Sequence, residues 1–346
     1  MAAPAYRSET RTINDLVTTT LDRYVTSNRG KLSGPWKTSN IVNYLNQHGA
    51  KRIETGGNLN RFRIYIGKGG TVKRIQGGQK LDITTPKAMT DGYYPFRQSA
   101  GNFFLPRDII TKNSGDMAAV SLAARMQEQV MADMAEDHAI KLIAGEAADP
   151  AQPENILHEG LLQIDLDSGT SGQINPTTHA THWAAQRVTS STFGTVSTGD
   201  GKSKLRELMT KHLKANNKLP DVGFCDYDGL VKYATIYEGQ EQLTAAVTNA
   251  APKTLHGGFA HYLYQGVPLI GESFINSDQG VAGYAFFLDL AELFLLVQSA
   301  SDMAVVSADM LPASLLGKTW VVVHDWSLVC TSRQHQGLLT GMTSGT

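Results

Sequence analysis

The spacing of apolar residues predicts two short helices near the start of the chain. Apolar side chains recur at helical intervals in residues 13–24 and again in residues 41–45. Ser39 is placed to cap the second helix at its N-terminus, and Gly49 is placed to end it. Residues 1–12 are small, polar and charged, which is typical of a flexible arm.

Between Asn60 and Thr90 the pattern changes to strands and glycine-rich turns. Residues 61–66 alternate charged and apolar side chains, which predicts a half-exposed strand, and residues 71–75 predict a second strand. The interval holds seven basic residues against one acid, Asp82, and has a net charge of +6. It has few large apolar residues, so we expect a basic β-hairpin that cannot form its own core and must lie on another surface.

A long helix is the next strong prediction. Residues 93–110 are extended and aromatic, and then Asn113 or Ser114 can cap a helix that ends at Gly145. About thirty residues at ~1.5 Å each give a rod of roughly 45 Å. Residues 116–146 carry six acids against two bases. The apolar stripe of this helix comprises Leu122, Met126, Val130, Met134 and Leu142.

The rest of the chain mixes helices and strands without regular βαβ alternation. Helices are predicted at residues 202–217 and 228–237, with a buried strand at 221–225 between them. The first of these helices places Leu205, Leu208, Met209 and Leu213 on one face. Apolar runs predict strands at residues 267–270, 284–288, 293–297, 320–324 and 327–331. We therefore expect an α+β fold.

Composition narrows the class of protein. Of 346 residues, 41% are hydrophobic and 18% are charged, which suits a globular chain with a substantial core. The net charge of −1 argues against a protein that condenses nucleic acid by itself. Cys225 and Cys330 stand far apart in apolar segments and are predicted to be buried free thiols. Neither a signal peptide nor a membrane span is predicted, so a soluble protein of cytoplasmic origin is expected.

Candidate chemistry is sparse. The glycine-rich turn at 67–70 lacks the spacing of a phosphate-binding loop, and no GxSxG nucleophile turn is present. His179 with His182, and His256 with His261, lack the further ligands that a metal site requires. We therefore predict no enzyme activity, no catalytic residue, no cofactor and no metal. The acids of the long helix are interpreted as a face exposed to solvent or to a partner.

A flexible arm, a basic hairpin and an acidic long helix, in this order, suggest a subunit that its neighbours complete. The sequence resembles the major capsid proteins of tailed bacteriophages, the Hong Kong phage type with the Johnson fold. Moderately specific structural motifs carry the resemblance, which covers nearly the whole chain. They are residues 15–21 (DLVTTTL), 44–49 (YLNQHG), Gly56-Gly57, 175–178 (NPTT) ahead of Trp183, and 326–337 (WSLVCTSRQHQG).

The resemblance implies a division of the chain. Residues 1–50 would be the N-arm, and 51–112 the extended loop with flanking peripheral-domain strands. Residues 113–200 would be the peripheral domain with a spine helix at 116–145. Residues 201–312 would be the axial domain, and 313–346 the C-terminal peripheral-domain strands.

The resemblance also implies function and partners. Hexamers and pentamers of the chain would build an icosahedral shell around double-stranded DNA in the virion, assembled in the bacterial cytoplasm. A separate scaffolding protein, a portal and decoration proteins would be its partners, with only weak non-specific contact to the DNA and no contact to a membrane. The open alternatives are an encapsulin-like compartment of the same fold and a metal- or nucleotide-dependent enzyme.

The predicted site is an inter-subunit contact. By the resemblance, the hairpin lies across a neighbouring subunit close to its spine helix. The hypothesis pairs basic hairpin residues of one subunit with acids on the helix of the next. These residues are Arg61, Arg63, Lys68, Lys73, Arg74 and Lys80 on the hairpin, and Glu128, Asp133 and Glu136 on the helix.

Overall fold

The computed structural model describes a mixed helix and sheet protein. It describes residues 39–57, 59–65, 89–108, 118–146, 158–165, 171–179, 183–194, 199–237, 261–308 and 317–343. The predicted helix at 13–24, the predicted strand at 71–75 and the proposed cap at Asn113 or Ser114 lie outside these residues. No helix in the described ranges is both long and apolar enough to cross a bilayer.

Five α-helices are described, and their bounds follow local sequence signals. They are α1 (Asn40–Gln47), α2 (Ala118–Ala144), α3 (Leu161–Asp165), α4 (Gly201–Asn216) and α5 (Tyr227–Tyr237). The side chain of Ser39 accepts a hydrogen bond from the backbone N–H of Val42, which confirms the predicted cap of α1. Asn217 ends α4 in the left-handed conformation, and its N–H donates to the carbonyl of Leu213.

The described strands form two larger sheets and a two-stranded ribbon. The strands are β1 (Lys51–Glu54), β2 (Leu59–Tyr65), β3 (Met89–Pro95), β4 (Arg97–Pro106), β5 (Gln186–Thr189), β6 (Val222–Cys225), β7 (His261–Tyr264), β8 (Val267–Gly271), β9 (Ala285–Leu288), β10 (Leu293–Gln298), β11 (Ala304–Ala308), β12 (Gly317–Cys330) and β13 (Gly337–Thr340). One sheet has the order β5-β13-β9-β6-β8-β7. The other has the order β1-β10-β12-β11, with β4 also paired to β12. The ribbon is β2-β3.

The described chain divides into two compact units. The larger holds residues 39–98, 136–302 and 324–343, with gaps where the chain is not described. Its main core joins α1, the end of α2 and α3 to strands of both sheets. Cys225 and Cys330 are buried free thiols in this unit, as predicted, and burial raises the pKa of Cys225 to about 12.

The smaller unit has its own core. It comprises residues 99–108, 118–135, 303–308 and 317–323. Phe103 stacks on Trp320 with ring centroids 5.2 Å apart. Met134 and partly buried Val130 lie in the same cluster, which confirms this part of the apolar stripe predicted for the long helix. A Cβ on Gly101 would come within 2.6 Å of Val130, so glycine permits the close approach of β4 to α2.

Two predictions about local structure are wrong. Leu213 is 44% exposed, because the buried face of α4 instead continues through His212. Residues 320–324 and 327–331 are not separate strands. Residues Gly317–Cys330 form one 14-residue strand. The polar residues His324 and Asp325 are buried within this strand and do not form a turn between the two apolar runs.

Candidate functional site

The base of the predicted hairpin is a regular antiparallel ribbon of β2 and β3. Arg61 lies opposite Tyr93, and Arg63 lies opposite Asp91. Because alternate residues of a strand point to opposite faces, these four side chains share one face of the ribbon. Both arginines are exposed. Lys68, Lys73, Arg74 and Lys80 lie outside the described residues.

The opposite face of the ribbon packs onto the chain's own core. Ile64 and Tyr94 are each 1% exposed. Phe62 contacts Phe294 edge to face with ring centroids 5.5 Å apart. The hydroxyl of Tyr94 donates to the carbonyl of Cys330 at 2.6 Å, and burial raises the pKa of Tyr94 well above its usual value. The base of the hairpin therefore lies on another surface, as expected, and for β2 and β3 this surface belongs to the same subunit.

Arg61 is engaged within the same ribbon. Its guanidinium pairs with the carboxylate of Asp91 and lies 5.5 Å from the centre of the Tyr93 ring. The hydrogen bond to Asp91 raises the pKa of Arg61. Asp91 stands one position beyond the basic interval 60–90, so the charge pattern of that interval does not predict its pairing with Arg61. Arg63 projects on the same face with Asp91 opposite it.

The predicted acidic partners all lie on α2. Glu128 and Asp133 are exposed, and Glu136 is half-buried. At 100° per residue they span an arc of about 140° around the helix axis. Glu128 and Asp133 belong to the smaller compact unit, whereas Glu136 and the ribbon arginines belong to the larger one. The arrangement presents an acidic face on α2 and a basic face on the ribbon.

A second feature, which sequence reasoning missed, is the carboxylate that holds the start of α1. Glu272 is fully buried and accepts from the hydroxyl of Ser39 at 3.1 Å and from the N–H of Ile41 at 2.8 Å. Its other oxygen accepts from the N–H of Phe274 at 3.3 Å. Burial raises the pKa of Glu272 although these hydrogen bonds oppose the shift. This anchor fixes the position at which residues 1–38 join the described fold.

Among the described residues, no group of three or more His, Cys, Asp or Glu side chains is arranged to hold a metal ion. A shallow cleft of about 270 Å³ lies beside the ribbon, lined by polar side chains and one isoleucine. His179 lies in this cleft, and His182 lies outside the described residues. The lining residues are Thr90, Asp91, Tyr93, Gln173, Ile174, Asn175, Thr178 and His179.

Comparison with known proteins finds similarity of fold alone. No protein-family model and no curated protein sequence matches the chain. The cyanophage A-1(L) capsid asymmetric unit matches with a TM-score of 0.62 at 13% identity, over 91% of this chain and 96% of that one. The capsid of a native GTA particle matches with a TM-score of 0.56 at 11% identity, over 93% and 94%. The holo-SrpI encapsulin complex from Synechococcus elongatus matches with a TM-score of 0.50 at 13% identity, over 86% of each chain.

Proposed function

We propose that this chain, which has the fold of phage capsid proteins, is the major capsid protein of a tailed bacteriophage. Its copies assemble as hexamers and pentamers into an icosahedral shell around double-stranded DNA. The observation that carries the proposal is the match to the cyanophage capsid over 91% of this chain and 96% of that one, which leaves no large part of either fold unaccounted for. The assignment to the Hong Kong type rests on the sequence motifs.

The division into an N-arm, an extended loop, a peripheral domain and an axial domain is part of the proposal. In it, α2 is the spine helix and the β2–β3 ribbon is the base of the extended loop. Residues 39–50, the end of the proposed N-arm, are tied to the larger unit through Glu272 and the buried side of α1. Residues 1–38, the rest of the proposed N-arm, lie outside the described residues.

Opposite charges on the two candidate surfaces support a contact between neighbouring subunits. The outer face of the ribbon carries Arg61 and Arg63, and the acidic face of α2 carries Glu128, Asp133 and Glu136. Asp91 already pairs with Arg61. Arg63 and the basic residues beyond the ribbon are therefore the better hydrogen-bond donors to another copy of the chain. Each exposed ion pair contributes only ~0.2–1 kcal/mol, but a closed shell repeats it many times.

A double charge reversal tests this contact. Lys73→Glu with Arg74→Glu should leave the subunit folded and weaken shell assembly, and high salt should weaken assembly of the unmodified protein. Adding Glu128→Lys should restore part of the yield. Asp278→Lys, a reversal of an exposed loop acid, is the control. Normal shells at normal yield from the double variant would show that Lys73 and Arg74 do not hold neighbouring subunits together.

The proposal includes partners and location. A shell protein with a net charge of −1 cannot neutralise packaged DNA, so contact with the DNA is weak and non-specific. A separate scaffolding protein, a portal and decoration proteins are the proposed protein partners, and the virion is the proposed location, after assembly in the host cytoplasm. No catalytic role is proposed.

An encapsulin-like shell with a protein cargo is the second candidate, supported by the match to the encapsulin complex. Electron microscopy of the purified chain tests both candidates, since each requires closed, uniform shells. Nuclease-protected genome-length DNA in shells from infected cells supports the capsid, whereas a stoichiometric protein cargo in place of DNA supports the compartment. A chain that stays monomeric, with or without a scaffolding protein, would contradict both.

A further inference from the structure

Two buried histidines contact one buried tryptophan in the larger unit, and a third histidine contacts one of the two. His158 stacks on Trp326 and His138 meets it edge to face, each with ring centroids 4.4 Å apart. His138 also contacts His324, with ring centroids 5.0 Å apart. All four side chains are at most 4% exposed. The cluster joins the end of α2, the segment 158–160 and β12, which are distant in sequence.

Of the three histidines, His138 is the one whose neutral form the surrounding charges favour most. Glu146 contacts the Nδ1 of His158 at 3.1 Å and also binds Lys141. Asp302 lies 3.7 Å from the Nδ1 of His324 and binds Lys51 at 2.6 Å. The charges that act on His138 come from the other two histidines, Lys51 and Lys141, and all of them oppose its protonation. Further acids of the region are Asp137, which pairs with Lys141, and Asp325, next to His324.

Several ring nitrogens of the cluster have no hydrogen-bond partner, which favours the neutral form of the histidines. In the described part of the chain, the Nδ1 atoms of His138 and His324, the Nε2 of His158 and the Nε1 of Trp326 have no hydrogen-bond partner. A histidinium has two N–H donors, so protonation of His138 or His158 would bury one N–H without an acceptor. Burial lowers the pKa of all three histidines, that of His138 well below its usual value.

We propose that His138, His158 and His324 form an acid-sensitive latch that holds the end of α2 and the segment 158–160 against β12. With neutral rings the three elements pack around Trp326. Protonation of His138 and His324 places two cations with ring centroids 5.0 Å apart in a buried contact, and the packing opens to admit water. The first proton acquired makes further opening easier, because an opened latch lets the remaining rings reach solvent.

The direction of the pH dependence follows from the lowered pKa values. Above about pH 6.5 the histidines are neutral in the folded and the unfolded chain, and the latch is fully closed. As the pH falls below 6.5 the unfolded or opened form binds protons that the closed form excludes. The ratio of closed to open forms then falls roughly tenfold per pH unit for each histidine, until its own lowered pKa is reached.

Hydrogen exchange on the full chain tests the latch through a conservative variant. His138→Phe keeps a ring against Trp326 and cannot be protonated, and His48→Phe, at an exposed histidine, is the control. After correction for intrinsic exchange rates, the protection of residues 136–144 and 324–330 should fall at least tenfold from pH 7.5 to pH 5.0 in the unmodified protein and the control. In His138→Phe most of this fall should disappear. An equal fall in all three proteins would overturn the proposal.

A second measurement needs no variant and covers the case in which His138→Phe does not fold. Nuclear magnetic resonance of the histidine Cε1–H groups gives the titration of each ring in the unmodified protein. The resonance of His138 should remain that of a neutral ring to well below pH 6.5. Titration of His138 near pH 6.5 with no change in the exchange of α2 would overturn the latch. Both measurements concern the subunit itself, so their outcome is independent of whether it forms shells.

Discussion

The two faces of the β2–β3 ribbon differ in whether the rest of the chain buries their side chains. On the inner face, Ile64 and Tyr94 are buried and pack against other side chains of the same chain. On the outer face, Arg63 is exposed and Leu59 is 51% exposed. The same contrast recurs on α2, where Met134 lies in a core and Glu128 lies in solvent. One side of each element is buried by the chain's own core, and the other side carries exposed side chains.

This contrast separates stability from assembly. A change on an inner face removes contacts that the folded subunit makes alone, so it should lower the free energy of unfolding. A change on an outer face should leave folding nearly intact and affect only association. Pairs of substitutions, one on each face of the same element, can therefore test the distinction.

The largest effect is expected on α4. Leu208 is fully buried in the same core cluster as Leu205 and Met209, so Leu208→Ala should lower the free energy of unfolding by about 3–5 kcal/mol. Leu213→Ala, on the same helix but in solvent, should change it by less than about 0.5 kcal/mol. Chemical denaturation of both variants measures the difference. Equal losses would mean that the buried face of α4 is wrongly assigned.

The ribbon offers the same test at its inner face. Ile64→Ala removes a fully buried side chain and should cost about 2–4 kcal/mol. Leu59→Ala, on the outer face of the same strand, should have little effect on the free energy of unfolding. A negligible cost for Ile64→Ala would show that the ribbon does not pack on its own subunit in solution.

A buried polar residue on α4 should make stability depend on pH. His212 is fully buried, and burial lowers its pKa to about 4. Since an unfolded histidine titrates near 6.5, stability should be complete above pH 6.5 and fall by about 3 kcal/mol as the pH drops to 4. His212→Leu should remove this part of the loss, as shown by denaturation midpoints at several pH values. An unchanged pH profile would contradict the buried neutral histidine.

Local signals in the sequence were sufficient for most elements. Ser39 and Gly49 mark the ends of α1, and the strands at residues 222–225 and 293–298 follow from their apolar runs. Such signals act over a few residues, so the sequence alone contains them. The α+β class, which the structural matches bear out, follows from their order.

The errors and omissions depend on contacts between distant residues. The inner face of the ribbon is buried by Phe294 and Cys330, more than 200 positions away, so its support could not be inferred from its own composition. Likewise, Glu272 reaches Ile41 across 231 positions. Leu213 follows the helical stripe, but its side chain is 44% exposed in the fold. Residues this far apart show no common pattern in one sequence.

The smallest effect on folding, and the sharpest test of the contrast, is expected at the two ribbon arginines. Arg61 is held by Asp91 and Tyr93 of its own chain, whereas Arg63 is the residue proposed to reach a neighbouring subunit. Arg63→Gln should change the free energy of unfolding by less than about 0.5 kcal/mol and raise the protein concentration required for shell assembly. Arg61→Gln should destabilise the ribbon, which faster hydrogen exchange of β2 and β3 would show. Its effect on assembly should be smaller than that of Arg63→Gln. Light scattering over a range of concentrations, with exchange of the ribbon amides, separates the two. If both variants raise the protein concentration required for assembly equally, Arg61 contributes to contacts between subunits despite its ion pair with Asp91. The outer face of the ribbon would then act as a single basic surface.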